Sequence, residues 1–169
     1  MKPSDRPVLS ILFVCTGNIF RSVVAEYATK LQLKPGNRYL VGSAGIEAKP
    51  QSVHPWILRC LHEKGADVST HVQRRLTQEL LEQTDLIVAM SHDHQTFIHR
   101  EFGIDAPLFK QICYGRDEPI LDLHEAHPNW EQDLNQARMY VSSVIDMIWK
   151  DIPSFLSKLP HIRLSLPKG

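Results

Sequence analysis

Leu9-Ser10-Ile11-Leu12-Phe13-Val14 runs straight into Cys15-Thr16-Gly17-Asn18-Ile19-Phe20-Arg21-Ser22, and this stretch decides the fold. Its first six residues have the continuous apolar character of a strand buried on both faces of a parallel sheet. From Ser22 to Leu33 the pattern changes, with Val24, Ala28 and Leu31 recurring at helical spacing. Between the two lies a loop that begins with a cysteine and closes with an arginine and a serine at the helix N-terminus. A β-loop-α unit of this kind has the form of a phosphate cradle with a nucleophile in its floor.

Each residue type suits that chemistry. Helix N-terminal amides and a neighbouring cation favour a thiolate over a thiol, and Arg21 and the start of the Ser22 helix supply both to Cys15. Gly17 admits backbone conformations that a side chain resists, and Asn18 tolerates the left-handed region. The amides of Thr16, Gly17, Asn18, Ile19, Phe20 and Arg21 can therefore turn inward as an anion nest. The planar fork of Arg21 holds two nonbridging oxygens and stays charged while a phosphoryl group changes shape. Ser22 can donate a hydrogen bond to the sulfur, steadying it as nucleophile and as leaving group. The bland alternative is a buried cysteine closing a strand beside an arginine on a solvated helix start. The strand in front and the helix behind argue against it.

Working outward, Lys34-Pro35-Gly36-Asn37 stops the first helix, Tyr39-Leu40-Val41 restarts a strand, and Gly42-Ser43-Ala44-Gly45 ends it. Trp56, Ile57, Cys60 and Leu61 recur at helical spacing before Gly65, and Thr77 to Leu81 gives a second short helical piece. Asp85-Leu86-Ile87-Val88-Ala89-Met90 reads as a short buried strand. Ser91 can cap the polar helix that reaches Phe102, and Pro107 to Cys113 suggests a weaker fourth strand. Trp130, Leu134, Ala137, Val141, Ile145 and Ile148 trace one face of a closing helix. The pattern predicts a single α/β domain over residues 8–150, with a four-stranded parallel sheet and helices on both faces. Residues 151–169 contain Pro153, Pro160 and Pro167 and are expected as a tail, on the surface or partly disordered.

Composition excludes several function classes. The chain has 169 residues, 43% of them hydrophobic, and its 19 Lys and Arg balance its 19 Asp and Glu. No overall field draws it to nucleic acid or membrane, so any anion preference is local. Cys15, Cys60 and Cys113 lie far apart without a Cys-x-x-Cys pair, which argues against a disulfide framework or zinc site and reads as cytosolic thiols. No apolar stretch approaches the ~18 residues of a membrane helix. His92-Asp93-His94 and His124-Glu125-Ala126-His127 gather nitrogen and oxygen donors, but neither has a clear third or fourth ligand. No metal or cofactor is expected, and the chain reads as a cytoplasmic monomer or weak dimer.

Val14-Cys15-Thr16-Gly17-Asn18-Ile19-Phe20-Arg21-Ser22 followed by Ala25-Glu26, placed after the first strand, resembles the signature of the low-molecular-weight protein tyrosine phosphatases. The resemblance continues through Gly42 to Gly45, Gly65 to His71 and Asp85 to Met90, and covers most of residues 8–149. It implies a cysteinyl-phosphate mechanism acting on a phosphotyrosine protein or an aryl phosphate. It also implies that Asn18 is held in a strained conformation by Ser22, Ser43 and His71. The family has a general acid on a loop before the last helix, usually as Asp-Pro, and here Asp117, Glu118, Asp122 and Glu125 are available. Asp122 fits best, after Ile120-Leu121 and at about the family's distance from the closing helix, although Leu123 stands where proline is usual. Glu125 could serve instead.

Three departures follow from the same comparison. Phe20 occupies the place of a second cysteine found in many members, so the protective disulfide is expected to be absent. Val23 stands where proline frequently follows Arg-Ser. His124, Glu125 and Ala48-Lys49-Pro50 stand where aromatic residues usually wall a phenol ring, so those walls are expected to be missing or displaced, which weakens the expectation of phosphotyrosine preference. Two rival readings share the cradle. One is a thioredoxin-coupled arsenate reductase, which needs resolving thiols that Cys60 and Cys113 do not match in spacing. The other is a non-catalytic phosphate- or phosphotyrosine-binding module.

Overall fold

The computed structural model describes residues 8–162. Strand β1 (Leu9–Cys15) leads through the cradle loop into helix α1 (Arg21–Gln32), and strand β2 (Tyr39–Gly45) follows. Helices α2 (Pro55–Glu63) and α3 (Gln78–Glu82) precede strand β3 (Leu86–Ala89). Then come α4 (His92–Phe102), α5 (Phe109–Tyr114), the single turn α6 (Leu123–Ala126) and the long α7 (Leu134–Lys158). The sheet order is β2-β1-β3 with both pairings parallel. Among the described residues no helix is long and apolar enough to cross a membrane.

The unbroken apolar run of β1 has the expected consequence. Side chains alternate across a strand, so Ile11, Phe13 and Cys15 enter one core, with α1, α5 and α7, while Leu12 and Val14 enter the other, beneath α3 and α4. The central strand thus has no solvent face, and its C-terminal end, where Cys15 sits, opens toward the loops. That is where ligands bind in open parallel sheets.

The sheet has three strands, not four. Pro107 to Cys113 contributes one isolated parallel bridge, Ala89 to Leu108, and then turns into α5. The reason is visible in the segment itself: Leu108, Phe109, Ile112 and Cys113 are buried at one-, three- and four-residue offsets, a helical pattern rather than an alternating one. The Gln111 side chain accepts from the Leu108 N–H at 2.8 Å, and Gly115 ends the helix at φ 67°.

The closing helix also outruns its expected end. Asp151, Ile152, Phe155 and Leu159 are buried, so the segment predicted as a surface tail is part of the core as far as the described residues extend; 163–169 lie outside them. Pro153 sits inside α7, where it cannot donate to the carbonyl of Trp149. That carbonyl instead accepts from Gln32 Nε2 on α1 at 3.0 Å, so a neighbouring helix satisfies the group that proline frees. Phe155 packs against Phe13 and Phe109 with ring centroids 5.3 and 5.6 Å away, tying the end of α7 to the central strand.

Candidate active site

The loop from Cys15 to Arg21 is pinned from the side by the chain leaving β2. Ile46 N–H donates to the Cys15 carbonyl and Glu47 N–H to the Thr16 carbonyl, both at 2.9 Å. The approach is so close that a Cβ on Gly45 would lie 2.5 Å from the Thr16 carbonyl oxygen and 2.9 Å from the Asn18 nitrogen. Only glycine allows it.

Asn18 takes φ 54°, the one positive value at a non-glycine position among the described residues. Both ends of its side-chain amide and its carbonyl are used to keep it there. Its Nδ2 donates to Ser22 Oγ at 3.0 Å and to Ser43 Oγ at 2.8 Å, its Oδ1 accepts from the Arg74 N–H at 3.1 Å, and its carbonyl lies 3.1 Å from His71 Nε2. The structure thus brings Ser22, Ser43 and His71 together around Asn18 and adds Arg74, which the sequence did not single out.

The chain of hydrogen bonds has a direction. Glu26 is buried, and a carboxylate only accepts, so Ser43 donates to its Oε1 at 2.6 Å and must receive the Asn18 amide on its own lone pair. Ser22 likewise receives from Asn18, which leaves its proton for Cys15 Sγ, 2.9 Å away. Lys30 holds the other Glu26 oxygen from the next helical turn. Cys15 itself is 2% exposed.

Arg21 is buried at the first position of α1, whose N-terminus has no side-chain cap and so leaves its amides for another acceptor. Its Nη1 donates to the Ile120 carbonyl at 2.8 Å and its Nη2 to Thr16 Oγ1 at 3.3 Å. Asp122 Oδ2 and Glu125 Oε1 each lie 3.6 Å from the guanidinium. Asp122 also caps α6, accepting from the Leu123 N–H through Oδ1 at 2.8 Å, while its own N–H is taken by Glu125. One Asp122 oxygen is therefore committed to the cap and the other faces Arg21. Of the other acidic candidates, Asp117 pairs with His92 on the surface, and Asp122 is the one that lines the cavity over Cys15.

That cavity measures about 470 Å³. Cys15, Thr16, Gly17 and Arg21 form its floor, and Ile19, Phe20, Trp56, Leu123, Trp130 and Val141 its walls. The aromatic walls, expected to be missing or displaced, are displaced: they come from α2 and from the turn Trp130–Gln132 ahead of α7. Their positions in the sequence carry core-like helical spacing, which hides them. Arg138 lies over the Trp56 ring at 5.1 Å and also lines the cavity.

The paired histidines do not act together. His92 is exposed beside Asp117, whereas His94 is fully buried and reaches Thr16 Oγ1 with Nε2 at 3.0 Å. The Ser91-x-x-His94 spacing, an N-cap followed by a polar N3 residue, was the available signal for it. Cys113 is buried under α7, where desolvation and then Asp151 push its thiol up to about 12. Cys60 lies on α2 with its sulfur 3.7 Å from Ser142 Oγ.

The sequence model of the family described as low molecular weight phosphotyrosine protein phosphatase matches residues 10–160. A protein-arginine-phosphatase of Bacillus subtilis is 40% identical over 97 residues, which are 56% of this chain and 64% of that protein. Arsenate reductase 2 of Staphylococcus epidermidis is 36% identical over 110 residues, 65% of this chain and 78% of its own length. Among solved structures, a mutant of YwlE from Bacillus subtilis superposes with a TM-score of 0.76 at 29% identity, covering 90% of this chain and 99% of the other.

Proposed function

The chain belongs to the low-molecular-weight phosphotyrosine protein phosphatase family, and from that premise we propose that it hydrolyses phosphotyrosine-type phosphomonoesters through a cysteinyl-phosphate intermediate. The Cys15 thiolate attacks phosphorus, a sulfur–phosphorus bond forms, and the bond from phosphorus to the phenolic oxygen breaks. Protonated Asp122 gives its proton to the departing oxygen, since a phenoxide is a poor leaving group at neutral pH. The resulting carboxylate then takes a proton from water, the water oxygen attacks phosphorus, and the thiolate departs toward the Ser22 hydroxyl, releasing inorganic phosphate. Arg21 and the amides of Thr16 to Arg21 hold the nonbridging oxygens throughout.

The observation that carries the substrate class is the cavity over Cys15. Two indoles, Phe20, Ile19 and Leu123 wall it, which suits a phenyl ring. A phosphorylated guanidinium, the group on which the Bacillus relative's name says it acts, needs acceptors around a planar set of donors; of the carboxylates lining the cavity, Asp122 is engaged by Arg21 and by its own cap, Glu47 is the other, and Lys49 and Arg138 at the wall add like charge. Arsenate reduction needs a second reactive thiol at the nucleophile, and neither Cys113, buried under α7, nor Cys60, beside Ser142 on α2, lines the cavity over Cys15.

The test offers purified protein three substrates: a phosphotyrosine peptide, a phosphoarginine peptide of the same sequence, and arsenate with thioredoxin. Turnover of the first should exceed the second by at least about tenfold in kcat/KM, equivalent to ~1.4 kcal/mol of transition-state discrimination. Cys15→Ser should abolish turnover while retaining phosphate binding. Preference for phosphoarginine or arsenate would overturn the substrate class, and phosphate binding without any turnover would leave a binding module.

A further inference from the structure

Among the described residues His94 is the one histidine in the buried core, at 0% exposure. Its ring nitrogens face different partners. Nδ1 accepts from the main-chain N–H of Ser91 at 3.0 Å and lies 3.2 Å from the Ser91 hydroxyl, which can turn its own proton to the same lone pair, and Nε2 lies 3.0 Å from Thr16 Oγ1. An N–H aimed at Nδ1 requires a lone pair there, so the neutral ring carries its proton on Nε2 and donates it to Thr16. Burial, and after it the charge of Arg21, push this ring down to about 3, which keeps it neutral at ordinary pH.

Thr16 Oγ1 therefore receives two hydrogen bonds, from His94 and from Arg21 Nη2 at 3.3 Å. A hydroxyl oxygen has two lone pairs, and both are engaged. What remains to be offered is the hydroxyl proton, on a side chain that lines the cavity over Cys15.

We propose that His94 is a positioning residue that locks the Thr16 hydroxyl as a donor to a phosphate oxygen in the cradle. This rests on the phosphate reading of the Cys15 loop. The opposite tautomer would present a lone pair at Nε2, draw the Thr16 proton toward itself and turn an oxygen lone pair toward the anion. The side chain at position 94 thus decides whether Thr16 attracts or repels the phosphate, and a donor fixed beforehand costs no reorganisation when the anion arrives.

Two sets of variants, read as orthophosphate affinity by calorimetry, and one spectroscopic measurement on the unaltered protein test this, and none requires turnover. His94→Asn keeps an acceptor near the Nδ1 position, preserving the Ser91 contact, but has nothing at Nε2. It should weaken phosphate binding about tenfold, as should Thr16→Val, and the double variant should be no weaker than Thr16→Val within about threefold. Thr16→Ser, which keeps the hydroxyl, should remain sensitive to His94→Asn, whereas Thr16→Val should not. In the unaltered protein, nitrogen NMR of His94 should show a neutral ring protonated on Nε2 at pH 7. This arm holds even where a variant fails to fold. Multiplicative losses in the double variant, unchanged affinity in His94→Asn, or an Nδ1–H tautomer would each overturn the proposal alone. A wild-type protein that fails to bind phosphate would overturn it together with the proposed function.

Discussion

Asp122 and Glu125 stand equally far from Arg21, at 3.6 Å, but only Asp122 lines the cavity that a leaving group would occupy. Asp122→Asn should therefore slow hydrolysis of aryl phosphates with poor leaving groups by about 10²-fold, and those with good leaving groups far less. Glu125→Gln, which retains a side-chain acceptor for the Asp122 N–H, should change either rate by less than about threefold. Steady-state kinetics across a leaving-group series checks both, and the reverse pattern would move the acid role to Glu125. The roles proposed for Cys15 and Arg21 were legible in the sequence because the residue types for nucleophile, nest and fork lie within one loop, where spacing alone suggests the chemistry. Ser43 and His71 could be reached only through the family resemblance. Glu26, His94, Trp56 and Trp130 are brought to the site by tertiary packing; in the sequence Trp56 and Trp130 look like core residues, Glu26 is only one letter of the family signature, and His94 reads as a metal donor short of partners.

Elements were readable where one physical pattern dominated. β1 announced itself by being apolar at every position that faces a core, and α1 by its spacing after the loop. Pro107 to Cys113 misled because a short apolar run has no period of its own; the helical offsets of Leu108, Phe109, Ile112 and Cys113 are visible only once their burial is known. Pro153 misled because its cost depends on whether another group reaches the carbonyl it strands, and Gln32 does so from a helix distant in sequence. The extended α7 carries a testable consequence. Phe155 is fully buried between Phe13 and Phe109, so Phe155→Ala should destabilise the protein by roughly 3–5 kcal/mol, measured by urea unfolding. A loss within ~1 kcal/mol would show that the end of α7 is not part of the cooperative core.

For the whole molecule, balanced charge leaves the anion preference to one site, and the buried ring of His94 links that site to folding. The ring titrates near 3 in the folded chain against 6.5 when free. As pH falls below 6.5 the unfolded chain gains a proton that the folded chain cannot take until about pH 3, so stability is lost through that window. Between pH 7 and pH 4.5 this group should contribute a loss of roughly 2–3 kcal/mol in wild type that His94→Asn lacks, measured by urea unfolding at both values. Equal acid sensitivity of the two proteins would show that the ring is not held neutral. The central claim is that one fold places a thiolate, a fork and an acid for phosphoryl transfer, and it makes the most direct demand on the covalent intermediate. Wild-type protein mixed with a phosphotyrosine peptide and quenched during turnover should yield, by mass spectrometry, one phosphoryl group on the peptide that contains Cys15. Turnover with no phosphoryl group on Cys15, or with the group on another residue, would contradict the account.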